Sequence, residues 1–234
     1  MGRLIEQLAP EAGFHVGLKI DIDSNAAPQG IQREIAPEHF RGVDVAVEFS
    51  TPEAAIGNLE KLCAIGVPTV VGTTGWYGEL DRVRAMVEKS GTAVVWSANY
   101  SIGVNVFRRV VAEAARLLAG QPEYGAWAWE VHHAAKKDAP SGTLLALVEE
   151  MKRAGYARPV STAANRAGAN PGTHEIGFDS GADTITLRHA ARSREGFARG
   201  ALRAAGWVIG KRGLHEFGDV IFPGQSGSVQ SPVK

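Results

Sequence analysis

"VDVAVEFSTPEAAIGNLEKLCAIGVPTVVGTTG", residues 43–75, decides the fold. Val43, Val45, Ala46, Val47 and Phe49 make its first eight residues a nearly continuous apolar run, as a strand covered on both faces tends to be. A helix follows, with Ser50 or Thr51 placed to cap it and Pro52 in its first turn, where a missing N–H costs nothing. "VPTVVGTTG" then reads as a second strand. Working outward, "YGELDRVRAMVEKSG" is a further helix and "TAVVWSAN" a third strand, while upstream "RLIEQLAP" puts Leu4, Ile5 and Leu8 on one helical face and "HVGLKIDID" reads as a strand ending in acidic residues. Strands alternating with helices predict an α/β fold, a Rossmann-like, doubly wound parallel sheet.

The pattern changes near Tyr100. The long helical stretch "SIGVNVFRRVVAEAARLLAG" leads into "GAWAWEVHH", whose alternation sets Trp127, Trp129 and Val131 on one face and Ala128, Glu130 and His132 on the other. The helix "TLLALVEEMKRAG" carries Leu144, Leu147, Val148 and Met151 at helical spacing, with Asp138 or Ser141 placed to cap it. "THEIGFDS" and "DTITLRHAA" form a hairpin around Gly181 and Ala182. "GFARGALRAAGWVIGKRG" then returns to helix, with Phe197, Ala201, Leu202, Ala205 and Val208 or Ile209 as its apolar face. The expected division is a parallel-sheet domain at residues 1–100 and 194–234, and a smaller α+β domain at 101–193.

Composition narrows the function classes. With 234 residues and 44% hydrophobic side chains the chain can bury a large core. Lys plus Arg equals Asp plus Glu, 25 each, so no bulk field draws it to nucleic acid or to an anionic membrane. No apolar run approaches the ~18 residues that span a bilayer, and the single Cys63 allows no intrachain disulfide. The expected location is the cytoplasm, and no nucleic-acid or membrane partner is expected.

Open parallel sheets bind cofactors at the carboxyl ends of their strands, starting from a Gly-rich turn after the first. Asp21 or Asp23 is placed to accept ribose hydroxyls, but the sequence opens at "MGRLIEQ", inside what should be the first helix, and contains no complete GxGxxG. Either the sheet lacks its usual first strand or the sequence has lost it. "VVGTTGW" is a second cofactor candidate: Gly72 and Gly75 admit close backbone approach, and Thr73 and Thr74 offer hydroxyls where a nicotinamide could sit.

The densest chemistry lies in "EVHHAAKKDAPSGT", Glu130 to Thr143. Adjacent His132 and His133 on a strand point to opposite faces and so cannot chelate one metal ion; no metal is expected. His132 suits general acid chemistry near neutral pH, and Lys136 adds a fixed cation. "DAPSGT" opens a helix, where free N–H groups at Ser141, Gly142 and Thr143 form a carboxylate site. Together these suit a small anionic substrate.

This stretch resembles the dihydrodipicolinate reductase signature ExHxxxKxDxPSGT at Glu130, His132, Lys136, Asp138, Pro140, Ser141, Gly142 and Thr143. "EFSTPEA", "VGTTGW", "SANYSIGVN", "NRAGANPGTHEIGF" and "HAARSREGFARGAL" follow the family in order, from Gly2 to about Phe222. The resemblance implies NADH- or NADPH-dependent reduction of 4-hydroxy-tetrahydrodipicolinate in diaminopimelate and lysine biosynthesis, by a homotetramer, with dinucleotide binding in the first domain and substrate binding and oligomerisation in the second. It implies His132 as proton donor, assisted by Lys136, with His133, Ser141, Gly142 and Thr143 holding a dicarboxylate. Asp21, Gly72, Thr73, Thr74, Ala98, Asn99, Tyr100 and Arg194 would serve the cofactor. Ile22 stands where an arginine often meets a 2′-phosphate, which tilts the expectation toward NADH. Trp127 and Leu144 replace a family glutamate and alanine. The alternative is a truncated homologue that binds the dicarboxylate without efficient reduction.

Overall fold

The computed structural model describes residues 1–22 and 31–224. In chain order its elements are α1 (Gly2–Leu8), β1 (Ala46–Glu48), α2 (Pro52–Ile65), β2 (Thr69–Val71), α3 (Leu80–Ser90), β3 (Ala93–Trp96), α4 (Ile102–Leu118), β4 (Gly125–His132), α5 (Gly142–Arg153), β5 (Val160–Arg166), β6 (Thr173–Asp179), β7 (Thr184–Ala190), α6 (Glu195–Val208), β8 (Gly213–Glu216) and α7 (Phe217–Ile221). They fall into two compact units, Met1–Ser101 with Phe197–Lys234, and Ile102–Gly196.

The first unit is built on a parallel sheet in the order β1-β2-β3-β8. Its central residues Val70, Val71, Val94 and Val95 are fully buried, which is why these strands carry no polar alternation. Ala55 and Leu59 of α2 and Val83 and Val87 of α3 pack against Val71 and Val94. Each buried Val or Leu among them contributes roughly 1.5–3 kcal/mol by leaving water. Gly66, at φ 82°, ends α2 in the left-handed conformation that a side chain would resist.

"HVGLKIDID" is a correction. Its described residues make only one parallel bridge, Ile20 to Gln32, rather than a strand. β8 was not expected; four residues ending in a Glu carry little periodic signal, and the parallel partner β3 defines it.

The second unit is a mixed sheet, β5-β4-β6-β7, in which β4 pairs parallel to β5 and antiparallel to β6. Phe107, Val111 and Ala115 of α4 and Leu144, Leu147 and Met151 of α5 enclose a core with Ala128, Ile176 and Phe178 of the sheet. Trp127 and Trp129, on the other parity of β4, are half-buried; the Trp127 indole lies over Gly177, where a Cβ would stand 2.0 Å from the ring. β5 is not legible in the sequence because "VSTAANR" has no large apolar residue after Val160. Among the described residues no helix is long and apolar enough to cross a membrane.

Candidate active site

Strand register assembles the densest polar cluster, in the second unit. Glu130 and His132 share the inward parity of β4; β6 sets His174 directly opposite Glu130, and β5 sets Arg166 opposite His132. Ser141, the N-cap of α5, closes the group by accepting the Leu144 N–H on its hydroxyl at 3.2 Å. Of the two caps open to the sequence, Ser141 is the one that forms.

Glu130 is the hub and is fully buried. Its Oε1 accepts the Ser141 N–H and an Arg166 N–H, each at 2.8 Å, and its Oε2 accepts the Ser141 hydroxyl. His174 Nε2 lies 3.3 Å from Oε2, and His132 Nδ1 lies 3.5 Å from it. Burial disfavours the Glu130 charge, but the Ser141 hydroxyl, Arg166 and the Ser141 amide outweigh it and hold the carboxyl below its usual range. The charge is therefore retained, paired and hydrogen-bonded, as a buried carboxylate requires.

The two histidines meet edge to face, with ring centroids 5.0 Å apart. Burial pushes the His132 pKa down, against the pull of Glu130, and Lys136 and Arg166 push the same way as burial. His174 is pushed down to about 4, by burial first and then by His132. Both imidazoles thus resist protonation in the free protein. The Nε2 side of His132 borders Gly172, where a Cβ would come within 2.9 Å of that nitrogen. Only a residue without a side chain leaves this nitrogen its space.

Ligand atoms of Glu130, His132 and His174 lie within 4.8 Å of one another, a different grouping from the His132–His133 pair weighed in the sequence. Arg166 already supplies positive charge to that carboxylate, and a metal ion would have to compete with it.

Lys136 sits in the turn after β4, its Nζ 2.7 and 2.9 Å from the two Asp138 oxygens. That contact holds the Asp138 carboxyl below its ordinary range, helped by the Gly142 amide. The expectation of three free amides at the start of α5 is corrected in part. The Ser141 amide and hydroxyl serve Glu130, because the inward parity of β4 delivers a carboxylate to that cap, and the Gly142 amide serves Asp138. Gly142 is exposed and Thr143 and His133 are partly exposed.

The residues expected at the cofactor lie at the carboxyl ends of β2 and β3, apart from Asp21 and Arg194, both exposed. Asp23 lies outside the described residues. Thr74 and Ala98 are exposed there, while Asn99 accepts the Ser101 N–H on its side-chain oxygen at 2.8 Å. Two of these side chains turn inward. The Thr73 hydroxyl turns inward to donate to the buried Glu48 carboxylate at 2.7 Å, and accepts the Ser50 N–H. Tyr100 is 2% exposed and its hydroxyl donates to the Val71 and Val95 carbonyls at 2.9 Å, so it ties β2 to β3. Gly72 has its own packing reason: a Cβ there would overlap the Phe49 ring.

Arg166 and His174 were not singled out in the sequence. A signal existed for His174, which shares strand parity with the core residues Ile176 and Phe178. For Arg166 the only signal was its place in the family block "NRAGANPGTHEIGF", since β5 carries no apolar periodicity.

The family model described as dihydrodipicolinate reductase, N-terminus, matches residues 1–100, and that described as dihydrodipicolinate reductase, C-terminus, matches residues 103–221. The 4-hydroxy-tetrahydrodipicolinate reductase of Christiangramia forsetii is 32% identical over 232 residues, covering 94% of this chain and 93% of its own. That of Methanoregula boonei is 38% identical over 193 residues, covering 76% and 74%. Two solved structures share the fold. Dipicolinate-bound dihydrodipicolinate reductase from Paenisporosarcina sp. TG-14 has a TM-score of 0.71 at 18% identity, covering 91% of this chain and 93% of that one. An amine dehydrogenase from Mycobacterium smegmatis has a TM-score of 0.61 at 11% identity, covering 92% and 91%. With both halves matched by one family's models and a relative above 30% identity along nearly its whole length, the chain belongs to the dihydrodipicolinate reductase family and is an oxidoreductase.

Proposed function

We propose that the protein reduces 4-hydroxy-tetrahydrodipicolinate to tetrahydrodipicolinate in diaminopimelate and lysine biosynthesis, with His132 as the proton donor. The observation that carries this reading is His132 at the end of β4, held in a buried polar cluster and followed by Lys136 and the exposed start of α5. His133, Gly142 and Thr143 hold the substrate's carboxylates, and Lys136 stabilises the bound dianion. To do so Lys136 exchanges Asp138 for a substrate carboxylate. Negative charge brought by the substrate favours the imidazolium form of His132, which burial disfavours in the free protein.

A nicotinamide cofactor follows from a reductase family on a Rossmann-like fold. When bound, it would supply a hydride, His132 would supply the balancing proton, and the substrate's 4-hydroxyl would leave as water. Thr74, Gly72, Ala98 and Asn99, at the carboxyl ends of β2 and β3, fit the nicotinamide end. Asp21 and Arg194 are assigned to the rest of the cofactor, with NADH preferred over NADPH because Ile22 offers a 2′-phosphate no charge. Among the described residues no glycine-rich turn joins a strand to α1. Dinucleotide binding belongs to residues 1–100 and 194–234, substrate binding and oligomerisation to 101–193, and the enzyme works in the cytoplasm as a homotetramer.

The test follows NADH or NADPH absorbance with freshly made substrate, alongside a cofactor titration. Turnover with either cofactor is expected. Dicarboxylate binding with no cofactor binding would establish the non-reducing homologue instead.

A further inference from the structure

Glu130 has no part in the chemistry assigned above, yet it is the most heavily partnered side chain of the cluster. Four donors hold its oxygens: the Ser141 amide and Arg166 at 2.8 Å each, the Ser141 hydroxyl, and His174 at 3.3 Å. None of these is His132. The Nδ1 of His132 is buried, has no hydrogen-bond partner, and stands 3.5 Å from Glu130 Oε2. A nitrogen buried without a partner is rare, and the nearby carboxylate gives the orphan an acceptor once the pair tightens by a few tenths of an ångström.

We infer that Glu130 is a positioning residue for His132, fixing Nδ1 as its protonated side so that Nε2 delivers the proton to substrate. Arg166, Ser141 and His174 keep the carboxylate ionised and still, and the side-chain-free Gly172 keeps Nε2 clear. The logic is that of a carboxylate orienting a catalytic histidine: it selects the tautomer and stabilises the imidazolium without taking the proton itself. His174 completes the arrangement as a neutral donor, its Nε2 within 3.3 Å of both Glu130 Oε2 and the Ser141 hydroxyl. Neutrality is secured by burial and by the neighbouring His132, whereas a charged His174 would repel the imidazolium.

The charged and titratable groups acting on His132 are Glu130 on its own strand, Lys136 and Asp138 in the following turn, Arg166 on β5 and His174 on β6, with His189 of β7 acting in turn on His174. Only Glu130 and Asp138 favour the imidazolium, and Glu130 is the stronger of the two. Replacing it by a neutral amide removes most of that support.

This inference rests on the proton-donor reading of His132, and its test separates the two. In protein labelled with nitrogen-15 at histidine, the His132 resonances are assigned by their loss in H132Q. Above the His132 pKa the wild type is expected to show the Nδ1–H tautomer, and E130Q to lose that preference. In turnover, E130Q is expected to reduce kcat by at least about tenfold, change KM less, and move the alkaline fall of kcat/KM to lower pH. An Nε2–H tautomer in the wild type overturns the inference, whether or not E130Q folds. So does an E130Q protein with unchanged tautomer and pH profile. Unchanged turnover in H132Q would instead remove the proton-donor reading and leave the Glu130–His132 pairing to the resonance measurement.

Discussion

His174 is held neutral in the fold, with a pKa near 4 against the unperturbed 6.5. Between those values the unfolded chain takes up a proton that the folded chain refuses, so stability is lost as pH falls from 6.5 toward 4. The loss is on the order of 2–3 kcal/mol if this residue acts alone. Urea midpoints at pH 7 and pH 4.5 are expected to differ more in the wild type than in H174N; an equal drop in both would place the acid sensitivity elsewhere. Gly172 offers a second single-residue test. Its φ of 141° and the nearness of His132 Nε2 mean that G172A is expected to displace the imidazole, lowering kcat far more than it lowers the unfolding midpoint. His174 and Arg166 mark the limit of reading along the chain. The parity that put Glu130 beside His132 is local and legible, but the residues facing them arrive from β6 and β5 through a register that no single strand encodes. Thr73 and Tyr100 show the same limit at strand ends, where their positions were legible but their inward direction was set by Glu48 and by two main-chain carbonyls.

At the scale of elements, α5 and β4 are coupled through Ser141. Its hydroxyl caps the helix and its hydroxyl and amide both hold Glu130, so S141A removes a cap and one donor to a buried carboxylate at once. A loss of about 2–3 kcal/mol is expected from these two effects, measured by urea unfolding. A change under about 0.5 kcal/mol, the range of ordinary surface substitutions, would contradict the coupling. The strand–helix–strand run from Val43 was legible because apolar runs and a 3.6-residue period are local properties. β5 and β8 were not, because pairing alone makes strands of "VSTAANR" and "GLHE". α6 shows close packing of an unforced kind: a Cβ at Gly200 would fall 1.8 Å from the Tyr100 carbonyl oxygen, so the helix lies directly against the turn that follows β3.

At the scale of the whole molecule, the two units divide the chemistry proposed for them, with strand ends suited to a nicotinamide in one and the acid and carboxylate site in the other. If the proposed homotetramer forms through the sheet face bearing Trp127 and Trp129, W129E is expected to lower the mass measured by light scattering; an unchanged mass would move the interface elsewhere. The most direct test of the account compares the wild type with H132Q in the reduction of 4-hydroxy-tetrahydrodipicolinate, followed at the nicotinamide absorbance. The expected result is turnover in the wild type and a kcat lower by about 10²–10⁴ in H132Q, with KM altered much less. Equal kcat values in the two proteins would contradict His132 as the proton donor.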